Sequence, residues 1–234
     1  MVIEEKAKYL GWVLQLGRVE FERALQWQHG LVKLRKEGLV RDTLILVEHP
    51  PVITVGKDGH PENFEALDCE PYFIERGGDV TYHGPGQLVA YFIFNLSRRG
   101  RDIHAFMSNI QDGIIRTLEQ IGIKARKDEE HTGVWVDKKK IASVGVAVRN
   151  WISFHGAAVN LNTDLSDFKR ISPCGLDADV MTSAKALVGH QIDMAEFGRQ
   201  LIEAYTDVFE TAFYPVRLDE IAEDIESQAG GNVI

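Results

Sequence analysis

The chain has 234 residues, 44% of them hydrophobic and 26% charged, the proportions of an ordinary globule that buries most of its surface without staples. Its formal net charge of −9 excludes a general nucleic-acid binder, because a polyanion would be repelled. The two cysteines, Cys69 and Cys174, are too few for a zinc site of their own and are not spaced as CxxC, which fits a reducing cytoplasm.

At the N-terminus, "MVIEEKAKYLGWVLQLG" carries acids early and its apolar run is broken by Gln15. We expect neither a signal peptide nor a membrane span there. "VEFERALQWQHGLVKLRKEG" places Phe21, Leu25 and Val32 on one helical stripe and stops at Gly38. "DTLILVEHPPVITVGKDG" reads as two short apolar strands around a Pro50-Pro51 corner. The run "GQLVAYFIFNL" is β-branched or aromatic nearly throughout, the pattern of a strand covered on both faces. Behind Asp102, a candidate N-cap, Phe106, Ile110, Ile114 and Leu118 recur every four residues and predict a helix. "TGVWVDKKKIASVGVAVRNWISFHGAAVNLN" predicts a meander of three strands, with turns at Asp137 and near Asn150. A last helix begins at the capping box Asp193–Glu196 and carries Phe197, Leu201 and Tyr205. From Arg217 onward acids outnumber bases five to one, so the tail 217–234 is expected to fray. Strands mostly follow strands and helices stand in separate blocks. This predicts an α+β fold with a mixed or antiparallel sheet and packed helices, in one domain with its core over about residues 10–215.

Four segments carry candidate chemistry. "RGGDVTYHGPGQL", residues 76–88, can be read as a tight hairpin loop. Against that, Arg76, Tyr82, His83 and Gln87 supply more directed donors than a plain turn needs. It is no phosphate loop, since GxGxxG fails and no Gly-Lys-Ser/Thr follows. In "KKKIASVGVAV", Lys138 and Lys139 read as a solvated turn. Lys140 opens an apolar strand beside the small Ser143 and Gly145, where lost solvation would lower an ammonium pKa and make it a proton carrier. In "SFHGAAVNLN", His155 reads as a hydrogen-bonded core residue, and the small run after it predicts another backbone or a slim ligand against the strand. The histidines show neither HxH nor HExxH pairing, so no metal and no cofactor is expected. Finally, Cys174 stands in the turn Pro173-Cys174-Gly175 between two breakers of regular structure. It is either a small buried hydrophobe or a projecting thiol.

Taken in this order, "EHPPVITVG", "RGGDVTYHGPGQLVAYFIFNL", "TGVWV", "KIASVGVAV", "SFHGAAVNLNTDL" and "ISPCGL" resemble the octanoyltransferases of lipoate synthesis, over roughly residues 45 to 180. The resemblance implies the catalytic-domain fold of biotin and lipoate protein ligases. It implies transfer of an octanoyl group from acyl carrier protein to a lysine of a lipoyl domain, such as a 2-oxoacid dehydrogenase E2 subunit or the glycine cleavage H protein, in the cytoplasm and without membrane or nucleic acid. Carried over by position, Cys174 matches the nucleophile that forms an acyl thioester, and Lys140 its proton-transfer partner. The acyl-binding segments match Arg76, Gly77, Gly78, Asp79, Val80, Thr81, Tyr82 and His83, then Ser143, Val144 and Gly145, then Gly156, Ala157 and Ala158. Oxyanion donors are expected among the backbone N–H groups near Gly77-Gly78 or at the Cys174 turn. The rival readings are an amidotransferase shuttling octanoyl or lipoyl groups between carrier proteins, and an ATP-dependent lipoate-protein ligase. Because the partners of such an enzyme are acidic, a basic docking face is expected from Arg98, Arg99, Arg101, Arg149, Lys169 and Arg170.

Overall fold

Two β-sheets and five helices make up the computed structural model, which describes residues 7–229 other than Ala66 and Asp68; the side chains of Cys174 and of residues 226–229 lie outside the described set. The elements in chain order are β1 (Tyr9–Arg18), α1 (Phe21–Glu37), β2 (Asp42–Glu48), β3 (Val52–Val55), β4 (Tyr72–Phe73), β5 (Val80–His83), β6 (Gln87–Ile93) and α2 (Ile103–Gln120). There follow β7 (Arg126–Lys127), β8 (Val134–Val136), β9 (Lys139–Arg149), β10 (Ile152–Asn160), α3 (Ala184–Val188), α4 (Met194–Val208), β11 (Thr211–Pro215) and α5 (Ala222–Ala229). The large sheet runs β11-β1-β2-β6-β10-β9-β8-β7, and a small sheet runs β4-β3-β5. β11, β1 and β2 are mutually parallel, whereas the rest of the large sheet is antiparallel. This is the expected α+β class with a mixed sheet.

Alternation along β6 shows why that strand is apolar throughout. Leu88, Ala90 and Phe92 join a core with Phe106, Ile110, Ile114 and Leu118 of α2 and Phe197, Leu201 and Tyr205 of α4. Val89, Tyr91 and Ile93 join a second core with Ala24, Trp27 and Leu31 of α1. A strand with helices on both faces has no polar side to show. In α1 the buried stripe passes through Ala24, Leu31 and Leu34, while Leu25 is half-buried. The caps follow local chemistry. The Asp102 side chain accepts the Ala105 N–H, and Asp193 accepts those of Ala195 and Glu196. Gly38 ends α1 with φ of 80°. The meander turns where expected, with positive φ at Asp137, Asn150 and Trp151.

Three expectations are corrected. β5 does not form a hairpin with β6; it pairs with β3 in the small sheet, so the glycine-rich segment passes between sheets. The tail that its charge led us to expect frayed folds back as α5 over residues 222–229. Ile221 and Ile225 are buried in the α1-side core, so two isoleucines outweigh the surrounding acids. Arg99 is not a docking residue. Its side chain is 8% exposed and pairs with Asp42, which also holds Arg35. It further donates to the Phe209 carbonyl and Thr211 Oγ1, cross-linking β2 to β11 and the turn before it. Among the described residues no helix is long and apolar enough to cross a membrane.

Candidate active site

The segment Arg76–Asp79 forms a strap over β9. Gly77 N–H donates to the Val146 carbonyl at 3.0 Å, and a Cβ on Gly145 would stand 2.9 Å from the Gly77 carbonyl oxygen. The small residue at 145 therefore accommodates another backbone. The strap is pinned to the loop after β3, where Gly78 N–H donates to Asp58 Oδ2 at 2.8 Å and Lys57 N–H to the Arg76 carbonyl at 3.0 Å. Both glycine N–H groups are thus already bonded, which removes Gly77 and Gly78 from the candidate oxyanion donors. The buried Arg76 guanidinium braces the strap by donating to the Thr54 carbonyl at 2.9 Å.

Beneath the strap lies a cavity of about 420 Å³, a size suited to a small ligand. Arg76, Gly77, Gly78 and Asp79 of the strap line it, as do Thr81 and His83 of β5. From β9 come Lys140, Ser143, Val144 and Gly145, and from β10 Gly156, Ala157 and Ala158. Val80 and Tyr82 do not line it. Successive side chains on a strand point to opposite faces, and these two pack with Ile53, Phe168 and Met181 in a third core under the small sheet. Gly156 is small for a different reason than a ligand. A Cβ there would meet the Ala90 carbonyl oxygen at 2.1 Å and the Phe92 ring at 2.7 Å.

His83 is neutral, held by burial at a pKa of about 3. Gln87 donates its Nε2 to the Tyr82 carbonyl and to Asn160 Oδ1, so its Oε1 must accept from His83 Nδ1, 2.7 Å away. The lone pair of His83 is therefore on Nε2. The chain of bonds continues, as Asn160 Nδ2 donates to the Thr182 carbonyl at 3.1 Å and Thr182 N–H to the Lys140 carbonyl at 3.0 Å. Further in, the Tyr91 hydroxyl donates to His49 Nε2 at 2.7 Å, because His49 Nδ1–H is directed at the Val19 carbonyl; burial lowers the His49 pKa.

Lys140 is 4% exposed, with its ammonium 5.7 Å from the centre of the Trp135 ring. Its stem lies against Gly133, whose φ is 142° and where a Cβ would stand 2.5 Å from Lys140 Cε. Gln111 Nε2 donates to the Gly133 carbonyl at 2.7 Å and holds that contact in place. Cys174 is described by its backbone alone. Pro173–Gly175 forms a 3-10 turn, anchored before it by Ser172 N–H to the Asn63 carbonyl at 2.9 Å and after it by Thr182 on Lys140. Cys69 is an exposed free thiol. The sequence set acids beside it, but the structure brings the Arg170 guanidinium within 3.4 Å of its sulfur.

Sequence reading missed His49, Tyr91, Gly133 and Glu75. Glu75 stands 3.3 Å from His29 Nε2, 3.2 Å from Arg149 and 3.8 Å from His155 Nε2. The nearby His155 and His29 imidazoles hold its pKa at about 2. Nothing in spacing marks these groups, since their partners lie on other elements. Among the described residues no cluster of three or more His, Cys, Asp or Glu could hold a metal ion.

The model of the lipoyl protein ligase A/B catalytic domain matches residues 20–206. An octanoyltransferase from Geobacter metallireducens is 40% identical over 189 residues, covering 81% of this chain and 89% of its own. The chain belongs to the octanoyltransferases. As an octanoyltransferase-family member it is an acyltransferase. Its fold recurs in lipoate-protein ligase A solved with ATP, with a TM-score of 0.77 at 17% identity over 94% of this chain and 92% of that one. It recurs more distantly in the biotin protein ligase of Aquifex aeolicus, with a TM-score of 0.53 at 12% identity, over 85% and 70% of the two chains.

Proposed function

We propose that this chain moves an octanoyl group from acyl carrier protein to a lysine of a lipoyl domain in the cytoplasm, through a thioester on Cys174, with Lys140 carrying the protons. The observation that supports this reading is that the segment carrying Cys174 returns to Lys140, Thr182 beyond the turn at Ala178–Val180 donating its N–H to the Lys140 carbonyl at the wall of the cavity. The thiolate of Cys174 attacks the donor thioester carbonyl. The C–S bond to the carrier's prosthetic arm breaks, and Lys140 protonates the departing sulfur. The acceptor amine then attacks the new thioester, the Cys174 sulfur leaves, and Lys140 takes the proton lost by nitrogen. One thioester replaces another in the first step, so no nucleotide is needed. The cavity walls supply the acyl site.

Incubation with octanoyl-acyl carrier protein in the absence of ATP tests this by intact mass. One octanoyl group is expected on the unmodified protein and on Cys69→Ser, and none on Cys174→Ala. An adduct that survives Cys174→Ala, or loading that requires ATP, overturns the reading, the latter in favour of a ligase.

A further inference from the structure

The loop after β3 ends in a 3-10 turn, Pro61–Asn63, whose last residue touches both the strap and the cysteine turn. Asn63 Nδ2 donates to Asp79 Oδ2, while the Asn63 carbonyl accepts the N–H of Ser172 at 2.9 Å. Asp79 is 6% exposed, and its other oxygen accepts the N–H groups of His60 at 3.1 Å and Val80 at 2.7 Å. This one carboxylate gathers the loop, the strap and the start of β5. Ser172 precedes Pro173–Gly175 and accepts the Gly175 N–H at 3.0 Å. A Cβ on Gly175 would lie 3.8 Å from Asn63 Nδ2, so the same amide stands beside the turn. Asp79 is thereby occupied in holding backbone and Asn63, which leaves it a poor ligand for an acyl chain.

We propose that Asn63 is a positioning residue that, through Asp79, fixes the Cys174 turn relative to the strap and cavity. Its catalytic consequence rests on the reading of Cys174 as the acyl-carrying nucleophile; the positioning itself does not. A neutral donor of this length suits the place. A carboxylate at 63 would face that of Asp79 at hydrogen-bond distance, and an apolar side chain would strand a buried acceptor.

The test uses the full chain in a Cys69→Ser background, where Cys174 is the sole thiol. Asn63→Asp should slow single-turnover octanoyl loading about a hundredfold, the cost typical of a displacement near 1 Å, with little change in donor KM. The alkylation rate of Cys174 by iodoacetamide, which needs no substrate, should change in parallel. The exchanged pair Asn63→Asp/Asp79→Asn should return both rates to within about fivefold of the parent, because the amide introduced at 79 can donate to the carboxylate at 63 and keep its oxygen for His60 and Val80. Should Asn63→Asp not fold, Asn63→Ser, which removes the reach without adding charge, should slow both rates. Parent-like loading and alkylation in either single variant overturns the proposal, and so does an exchanged pair as slow as Asn63→Asp. If instead Cys174→Ala keeps full activity, the nucleophile reading fails alone, and the alkylation series still decides whether Asn63 positions the turn.

Discussion

Replacing Gly133 by alanine places a methyl carbon 2.5 Å from Lys140 Cε and 2.6 Å from the Ala142 carbonyl oxygen. The lysine stem can swing away, but the carbonyl belongs to β9 and cannot. At φ of 142° an L side chain also adds backbone strain of about 1–3 kcal/mol, and crowding a packed site adds about 1–3 kcal/mol more. The sum, about 2–6 kcal/mol, corresponds to a fall in Tm of roughly 5–20 °C for a chain of this size. A displaced ammonium should in addition slow octanoyl loading about a hundredfold. Thermal unfolding and single-turnover loading, both measured well below the variant's Tm, separate the two effects. Gly122→Ala is the control, since its φ is 81° and nothing lies within 4 Å of a Cβ there; it should lose some stability and no turnover. Parental turnover in Gly133→Ala would refute the claim that this glycine places the lysine.

The remaining expectations concern substrate, charge and pH. Each buried methylene contributes about 0.8 kcal/mol, so butyryl donors, four methylenes shorter, should lose about 3 kcal/mol, roughly two hundredfold in kcat/KM; an even profile would place the chain outside the cavity. Lys140→Ala and Lys140→Arg should both slow loading by about 10² to 10⁴, since guanidinium keeps its proton, and parental rates in the arginine variant would retire Lys140 as the proton carrier. Arg99→Ala removes one of the two guanidinium partners of the buried Asp42 carboxylate, Arg35 remaining, and should cost about 1–3 kcal/mol in urea unfolding, whereas charge reversal at the exposed Arg98 and Arg101 should leave stability alone and raise KM for an acidic carrier; the opposite pattern would restore Arg99 as a docking residue. Burial lowers the pKa of His49, His83 and His155 in the folded chain, and the unfolded chain binds their protons near pH 6.5. Their contribution is complete above that pH and is lost as pH falls toward the folded value of about 3 for His83. Tm should therefore drop between pH 7.5 and 5, and less steeply in His83→Asn; a flat curve would contradict this.

Helices and caps were readable from local sequence because their causes are local. Asp102, Asp193 and Gly38 act within one turn of themselves, and the four-residue spacing of Phe106 to Leu118 marks a face whatever covers it. The covered strand β6 was equally plain. Edge strand β11 and its neighbour β1 were not, since β11 has five residues and pairs with β1 from the other end of the chain. The small sheet was misread for the same reason, as the glycine-rich run could close on β6 or cross to β3 with identical turn chemistry. At the site, Lys140 and the cavity-lining segments were found as segments, but which residue of a pair faces inward depends on register. Val80 and Tyr82 fell on the wrong side of an alternation that only the pairing with β3 decides. Arg99 misled because an exposed-looking "SRRGRD" says nothing of Asp42, 57 positions earlier.

The two anchors of the cysteine turn belong to different layers, Ser172 to the loop beside the small sheet through Asn63 and Thr182 to the large sheet through Lys140. The stretch between them is a short bridge, and bridges of this kind are thermodynamically forgiving, since doubling a loop costs only about 0.6 kcal/mol. A residue gained or lost between Leu176 and Asp177 would barely register in the folding equilibrium, yet under the proposed mechanism it would carry the Cys174 sulfur away from Lys140. Purifying selection for a folded chain is therefore blind to the length of this bridge, and only selection for turnover can see it. The fold can drift into chemistry that dispenses with the thiol while every core contact stays in place.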